Sequence, residues 1–234
     1  MADEKYAIHA AAREGKFSIV ESLLNADPKL AKLKDEDGRL PIHWAASANN
    51  FEIFSLLVQQ KGFDPDVKDD SGWTPLMIAS SVKDSEKIVD LLLSKGADIN
   101  EKNNNGQTVL HFVASKTNLD LARKLLDQKP SASARVRDKR GQYPLHRAAA
   151  VGSVPMVNLL INAKSPLNAT DSAGYTALHH AVAEGHGDTA VALIKAGAET
   201  DKKDSDGQLA LDLAPDRDVR KYIERECERE GIEL

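Results

Sequence analysis

A glycine-centred segment recurs along the chain at almost constant spacing. Its glycines lie 34, 34, 35, 33 and 33 residues apart, at Gly38, Gly72, Gly106, Gly141, Gly174 and Gly207. Three of the segments read GRLPIHWA, GWTPLMIA and GQYPLHRA. His9 lies 34 residues before the equivalent His43, which implies one more copy ahead of the first glycine. A fixed period of this length indicates a chain built from about seven similar units.

Each copy carries the signals for two short helices. Glycine permits the positive φ of a turn, Thr74 can cap a helix, and Pro75 suits the first helical position. The stretch 85–93 then places apolar residues at helical spacing. It is followed by Lys95 and Gly96, a basic residue and a glycine where helices tend to end. The sequence therefore predicts a turn, a first helix and a second helix in each unit.

The residue at the capping position varies between copies. Threonine fills it in three of them, whereas the others have Leu40, Tyr143 and Leu209, which cannot accept the same hydrogen bond. Loss of such a cap costs about 0.5–2 kcal/mol. We therefore expect Leu40→Thr to stabilise the second repeat, unless Leu40 packs against a neighbour.

Composition limits the classes of function. The 234 residues carry a net charge of -5 with both signs mixed, so we expect no nucleic-acid or membrane partner. The single Cys227 cannot form an intramolecular disulfide, and no segment of the signal-peptide type precedes Tyr6. Apolar runs are too short to span a bilayer. These features are typical of a soluble intracellular protein.

Five of the seven histidines share one position of the repeat, namely His9, His43, His111, His146 and His179. A metal site would need them to converge, but stacked repeats hold successive copies about one repeat apart. We interpret them as structural, each imidazole bonding the turn of its own or the adjacent unit. The chain also has no G-x-S-x-G elbow, phosphate-binding loop or C-x-x-C pair, so it predicts neither an enzyme nor a metal or other cofactor.

The Thr-Pro-Leu-His-like step, the paired helices and the Gly-Ala-Asp ending at 96–98 resemble ankyrin repeats over essentially the whole chain. The resemblance implies an all-α repeat protein, an ankyrin-repeat solenoid of seven helix-turn-helix units with short β-hairpin-like turns. Turn tips and first helices would form its concave face. We predict a single array over 1–234 with repeats at 3–36, 37–70, 71–104, 105–139, 140–172, 173–205 and 206–229, the last as a charged C-terminal cap.

Two tryptophans stand at positions that the repeat does not require to be aromatic. Trp73 follows the turn glycine, where other copies have Arg39, Gln107, Gln142 and Tyr175. Trp44 occupies the variable position of the first helix, which elsewhere holds Ile78, Phe112, Arg147 and His180. Partly exposed aromatic rings flanked by charge are typical of protein interfaces. They favour partner contact, and packing between adjacent turns is the alternative.

Several stretches together are similar to the gankyrin family, namely 37–39, 43–45, 69–73, 105–106, 114–116, 146–150 and 184–188. That family comprises seven-repeat chaperones of the proteasome regulatory particle. The resemblance implies a monomer that binds the C-terminal domain of one proteasomal ATPase subunit in its concave face. It also implies a role in assembly of the 19S base and a cytoplasmic and nuclear location. The L-x-C-x-E motif of animal members is absent, because 180–184 retains only its glutamate.

The resemblance also implies ten partner-binding residues, which are Asp37, Arg39, Trp44, Asp70, Trp73, Phe112, Lys116, Arg147, His180 and Glu184. Among them Arg39 and Lys116 would meet partner carboxylates. Asp37, Asp70 and Glu184 would meet partner arginines or lysines. A general ankyrin adaptor that recruits a signalling or transcription protein is the alternative function, and an enzyme with an undetected site is a third.

Overall fold

The computed structural model describes residues 5–234, and the predicted helix pairs are present. The thirteen α-helices of this part are α1 (Ala7–Glu14), α2 (Phe17–Ala26), α3 (Pro41–Ser47), α4 (Phe51–Val58), α5 (Pro75–Ser80), α6 (Glu86–Ser94), α7 (Val109–Ser115), α8 (Leu119–Leu126), α9 (Pro144–Ala150), α10 (Val154–Asn162), α11 (Ala177–Ala183), α12 (Gly187–Lys195) and α13 (Arg217–Arg229). Short 3-10 helices span Pro28–Lys32 and Ala210–Leu213. Within residues 5–234, β-structure is limited to one isolated bridge between Lys203 and Leu209. The all-α repeat class is confirmed, while residues 3 and 4 of the predicted first repeat lie outside the described part.

The described residues form two compact units. The first ends at Asn104 and contains α1 to α6, and the second is Asn105–Leu234 and contains α7 to α13. The division coincides with the boundary predicted between the third and fourth repeats. The prediction of a single array over the whole chain stays a prediction.

Within each unit the helices pack in two rows. In the first unit α3 contacts both α1 and α5, and the second helices α2, α4 and α6 contact one another in the same order. In the second unit α9 lies between α7 and α11, while α10 lies between α8 and α12, and α13 covers α12. Alanines on the first helices, such as Ala45, Ala79 and Ala148, are fully buried, which allows neighbouring first helices to approach closely. Larger side chains of the second helices, among them Phe54, Leu125 and Leu160, fill the core.

The repeated histidines tie the start of four of the first helices, α3, α7, α9 and α11. Their Nδ1 atoms accept a backbone N–H from the residue that precedes the helix, at 3.0 Å for Leu40, 3.1 Å for Thr108, 3.1 Å for Tyr143 and 3.3 Å for Thr176. Since Nδ1 accepts, the proton of the neutral ring lies on Nε2. That atom donates at 3.1 Å to a carbonyl oxygen beyond the repeat's own helices, in the pairs His43–Val67, His111–Gln142 and His146–Ala169. The structural interpretation is confirmed for His43, His111 and His146, which make both bonds. His179 makes only the Nδ1 bond, and His9 bonds only through Nε2, to the carbonyl oxygens of Leu33 at 2.9 Å and Arg39 at 3.1 Å.

The sequence left open whether Leu40 packs against a neighbour. Its side chain is buried, with 8% of its surface exposed, and it lies beside Ile42 and Leu57 around a cavity of about 400 Å³. Threonine would give up this apolar burial, which is worth about as much as the cap it adds. The backbone N–H of Leu40 is in any case bonded to His43. Leu40→Thr is therefore not expected to stabilise the second repeat.

Candidate protein-binding site

Five of the turns are each built around one aspartate, whereas the turn before Gly106 has Asn103 at this position. Oδ1 of Asp35 accepts the backbone N–H of Asp37 at 3.0 Å and that of Arg39 at 2.8 Å. Asp69, Asp138, Asp171 and Asp204 make the same pair of bonds, to the residues two and four positions later. The aspartate N–H in turn donates to the carbonyl four residues on, which closes the predicted hairpin-like turn. We call the turns and first helices of a unit its turn face.

The second carboxylate oxygen of these aspartates faces other side chains of the turn face. Oδ2 accepts a side-chain N–H in four turns, in the pairs Trp44–Asp35 at 2.7 Å, Arg39–Asp69 at 3.1 Å, Arg147–Asp138 at 3.0 Å and His180–Asp171 at 2.9 Å. All four donors are residues that the sequence assigned to partner binding. The structure adds that each is anchored to a turn aspartate, which sequence reasoning missed. The available signal was spacing, because three of these aspartates precede their partner by nine residues.

Trp44 is the centre of the turn face in the first unit. Its ring lies under two guanidinium groups, 5.0 Å from Arg39 and 5.5 Å from Arg13. A cavity of about 350 Å³ beside it is lined by Tyr6, His9, Ala10, Arg13, Asp35, Glu36, Asp37 and Trp44. Burial is the largest single influence on the pKa of Asp35 and raises it, but the bonds from Trp44, Arg39 and Asp37 outweigh it and lower the pKa below its ordinary value. The carboxylate thus stays charged opposite the indole N–H.

The remaining predicted residues of the first unit differ in exposure. Asp37 and Asp70 are exposed, and neither carboxylate forms an ion pair with any described residue. Trp73 is half-buried, and its backbone N–H donates to Asp69 at 2.8 Å. Trp73 as a whole is therefore neither fully exposed nor fully buried. The first unit thus presents two exposed carboxylates next to two half-buried tryptophans and Arg39.

In the second unit, His180 and Arg147 are held in the same way. Asp171 accepts both His180 and the side-chain amide of Gln142, each at 2.9 Å. Burial raises the pKa of Asp171, but the bonds from Gln142, His180 and two backbone N–H groups together lower it below its ordinary value. The ion pair of Arg147 buries the Asp138 side chain to 2% exposure and leaves 26% of the arginine side chain exposed.

Three further predicted residues complete the turn face of the second unit. Phe112 is half-buried, whereas Lys116 and Glu184 are exposed at the C-terminal ends of α7 and α11. Neither Lys116 nor Glu184 forms an ion pair within residues 5–234. Across the two units the ten predicted residues therefore divide into four exposed charges and six half-buried side chains.

Trp44→Phe is expected to lower the free energy of unfolding by about 1–2 kcal/mol. Phenylalanine keeps a ring beneath Arg39 but removes the indole N–H, so one bond to a charged, partly buried carboxylate is lost. Urea denaturation of the two proteins measures the difference. A double-mutant cycle with Asp35→Asn isolates the pair, and a coupling energy near zero would contradict the role assigned to this bond.

Among the described residues, no three His, Cys, Asp or Glu side chains are placed to share a metal ion. No helix of this part combines the length and apolar character that crossing a membrane demands. The chemistry that the turn faces offer is that of protein recognition, with charges of both signs, partly exposed aromatic rings and side chains already fixed in position.

Comparison with known proteins identifies the family of the chain. The family model for ankyrin repeats, described as three copies, matches residues 8–103, 87–171 and 110–206. A relative from Saccharomyces cerevisiae, named "Probable 26S proteasome regulatory subunit p28", is 42% identical over 174 residues, which cover 73% of this chain and 75% of the relative. The crystal structure of the ankyrin repeat domain of Bcl-3, a member of the IκB protein family, is similar with a TM-score of 0.72 and 26% identity, and the match covers 93% of this chain and 97% of that domain. The chain therefore belongs to the ankyrin-repeat family and, within it, to the gankyrin family.

Proposed function

We propose that this protein is a proteasome assembly chaperone that binds the C-terminal domain of one proteasomal ATPase subunit and assists assembly of the 19S base. The observation that carries the proposal is the 42% identity to the yeast protein named as a 26S proteasome regulatory subunit. The turn faces support it, because the residues implied by the gankyrin resemblance are surface charges and half-buried aromatic rings. A stoichiometric binder needs such a surface and no catalytic group.

The anchored side chains favour binding in a second way. Arg39, Arg147 and His180 are each held by a turn aspartate before any partner arrives. Ordering a long side chain at an interface costs about 0.5–1.5 kcal/mol, and a side chain already ordered avoids most of that cost. The arrangement therefore presents positive and polar groups at fixed positions, with Trp44 stacked beneath one of them.

The four exposed charges set the orientation of the partner. In this proposal Lys116, together with Arg39, meets partner carboxylates, whereas Asp37, Asp70 and Glu184 meet partner arginines or lysines. Charges of mixed sign fix register and raise the association rate more than they raise affinity. Trp44, Trp73 and Phe112 supply apolar contact between them. We also propose that the protein works as a monomer without a cofactor, in the cytoplasm and the nucleus.

Lys116→Glu is expected to weaken binding to the ATPase C-terminal domain at least tenfold. The exposed ammonium forms no ion pair with a described residue, so its reversal changes the surface without disturbing the fold. Arg39→Glu is a poorer probe, because it would also break the ion pair with Asp69 and put two carboxylates together. Isothermal titration calorimetry with each purified ATPase C-terminal domain measures the effect.

Lys221→Glu is the matched control, since Lys221 is an exposed residue of α13, away from the turns and first helices. It is expected to bind as the unaltered protein does. If the unaltered protein bound none of the ATPase domains, the proposed function would be wrong. Affinity isolation that recovered a signalling or transcription protein in their place would favour the general adaptor.

A further inference from the structure

One turn aspartate lacks the partner that the other four have. Asp204 makes both backbone bonds of its turn through Oδ1, at 2.9 Å to Asp206 N–H and 2.9 Å to Gln208 N–H. Its Oδ2 is buried and forms no hydrogen bond with any residue of 5–234. The residue as a whole is 7% exposed. In Asp35, Asp69, Asp138 and Asp171 the same oxygen accepts a side-chain N–H.

The sequence of the last repeat explains the difference. The donor in three turns is the residue nine positions after the aspartate, which is Trp44, Arg147 or His180. Nine positions after Asp204 stands Leu213, which has no donor. The other route, used by Arg39 towards Asp69 and by Gln142 towards Asp171, starts 29 or 30 residues earlier. For Asp204 that position is Tyr175, which makes no such bond among the described residues.

The turn itself does not require a charge at this position. In the third repeat the equivalent residue is Asn103, which is also buried. A carboxylate oxygen that is removed from water without a donor costs free energy, whereas a neutral amide there costs less. The turn therefore does not explain a carboxylate at Asp204, whose second oxygen makes no hydrogen bond within residues 5–234.

We propose that an arginine of the bound partner donates to Oδ2 of Asp204, so that the partner completes the series of aspartate–donor pairs at the turn that leads into the last repeat. At the equivalent oxygens of Asp69 and Asp138, the guanidinium groups of Arg39 and Arg147 are bound while 29% and 26% of their own side chains stay exposed. Arginine suits the site better than lysine, because its planar guanidinium is less strongly hydrated and forms buried ion pairs readily. This inference rests on the proposed function and extends the partner contacts beyond Glu184 to the final turn.

Leu213→Arg tests the geometry without a partner. Arginine at this position copies the spacing of Arg147 and Asp138, so it should pair with Asp204 and raise the melting temperature by about 2–4 °C. In an Asp204→Asn background the gain should disappear. If Leu213→Arg changed the melting temperature equally in both backgrounds, Oδ2 would be out of reach of an incoming guanidinium and the inference would be overturned.

Asp204→Asn tests the partner. The variant keeps the turn bonds through its amide oxygen and is expected to weaken binding to the ATPase C-terminal domain about fivefold to tenfold. Leu213→Arg should weaken it as well, because it occupies the site. Asp206→Asn is the matched control, since it removes one exposed carboxylate from the same turn, and less than a twofold change is expected.

The outcomes separate this inference from the proposed function. Binding of the ATPase domain with equal affinity by Asp204→Asn and the unaltered protein would overturn the inference and leave the proposed function standing. No binding by the unaltered protein would overturn both.

Discussion

Gly174→Ala is expected to lower the free energy of unfolding by about 3 kcal/mol. Gly174 has a φ of +79°, where an alanine costs about 1–2 kcal/mol. Its backbone also lies against the next turn, so that an added Cβ would be 2.7 Å from the backbone nitrogen of Ser205 and 3.0 Å from the carbonyl carbon of Asp204. Backbone atoms cannot move aside as a flexible side chain can, and overpacking of this kind costs about 1–3 kcal/mol more.

Gly197→Ala is the matched control for this prediction. Its φ of +94° is also positive, but an added Cβ would have no heavy atom within 4 Å. This variant should therefore lose only the conformational part, about 1–2 kcal/mol. Urea denaturation of both variants at neutral pH gives the comparison. Equal losses would show that contact between adjacent turns contributes nothing at Gly174.

The recurring glycines show how much of the fold could be predicted from the sequence. Their period gave the helix pairs, because a turn with positive φ followed by a helix start such as Thr74-Pro75-Leu76 is a local signal that needs no tertiary information. The count of seven repeats stays a prediction. The sequence also identified the histidines as structural, and Nδ1 and Nε2 of His43, His111 and His146 make the bonds expected of them. The division into two compact units was not predicted, since no change in composition marks Asn105.

The candidate site was predicted only in part. Variable positions of the repeat pointed to Trp44, Arg147 and His180, because a residue that the scaffold does not specify is free to serve binding. Their bonds to turn aspartates depend on how a turn folds beside the first helix that follows it, and that is a tertiary relation. The bond of Arg39 to Asp69 joins two successive turns, which the nine-residue spacing cannot reveal. Burial of Leu40 was left open for the same reason.

Acid is expected to destabilise the second unit between pH 6.5 and pH 4. Burial, the largest influence, lowers the pKa of both His111 and His146 from the ordinary 6.5 to about 4 in the folded protein. Above pH 6.5 both states hold neutral imidazoles, so the full stability is present. Between pH 6.5 and 4 the unfolded chain binds protons that the folded chain does not, so the free energy of unfolding decreases as the pH is lowered. Below pH 4 both states are protonated at these residues and the loss levels off.

The expected loss is large for two residues. At pH 4.5, two pH units below the ordinary pKa, each histidine lowers the free energy of unfolding by on the order of 2–3 kcal/mol, at 1.36 kcal/mol per unit. The carboxylates of Asp35 and Asp171, whose pKa is lowered, add their own loss only as the pH falls through the ordinary value of 3.8. Urea denaturation at pH 7.5, 6.5, 5.5 and 4.5 therefore measures the loss before these two aspartates contribute to it.

His146→Asn provides the internal control for that titration. Asparagine can accept the backbone N–H of Tyr143 through its side-chain oxygen, as Asp212 accepts that of Leu209 at 3.2 Å in the last repeat. The variant should be less stable at pH 7.5, since the bond from Nε2 to Ala169 is lost. It should nevertheless lose about 2–3 kcal/mol less than the unaltered protein between pH 7.5 and 4.5, because one buried imidazole no longer resists protonation. A free energy of unfolding that stayed constant over this range would mean that the buried histidines accept protons without opening the repeats.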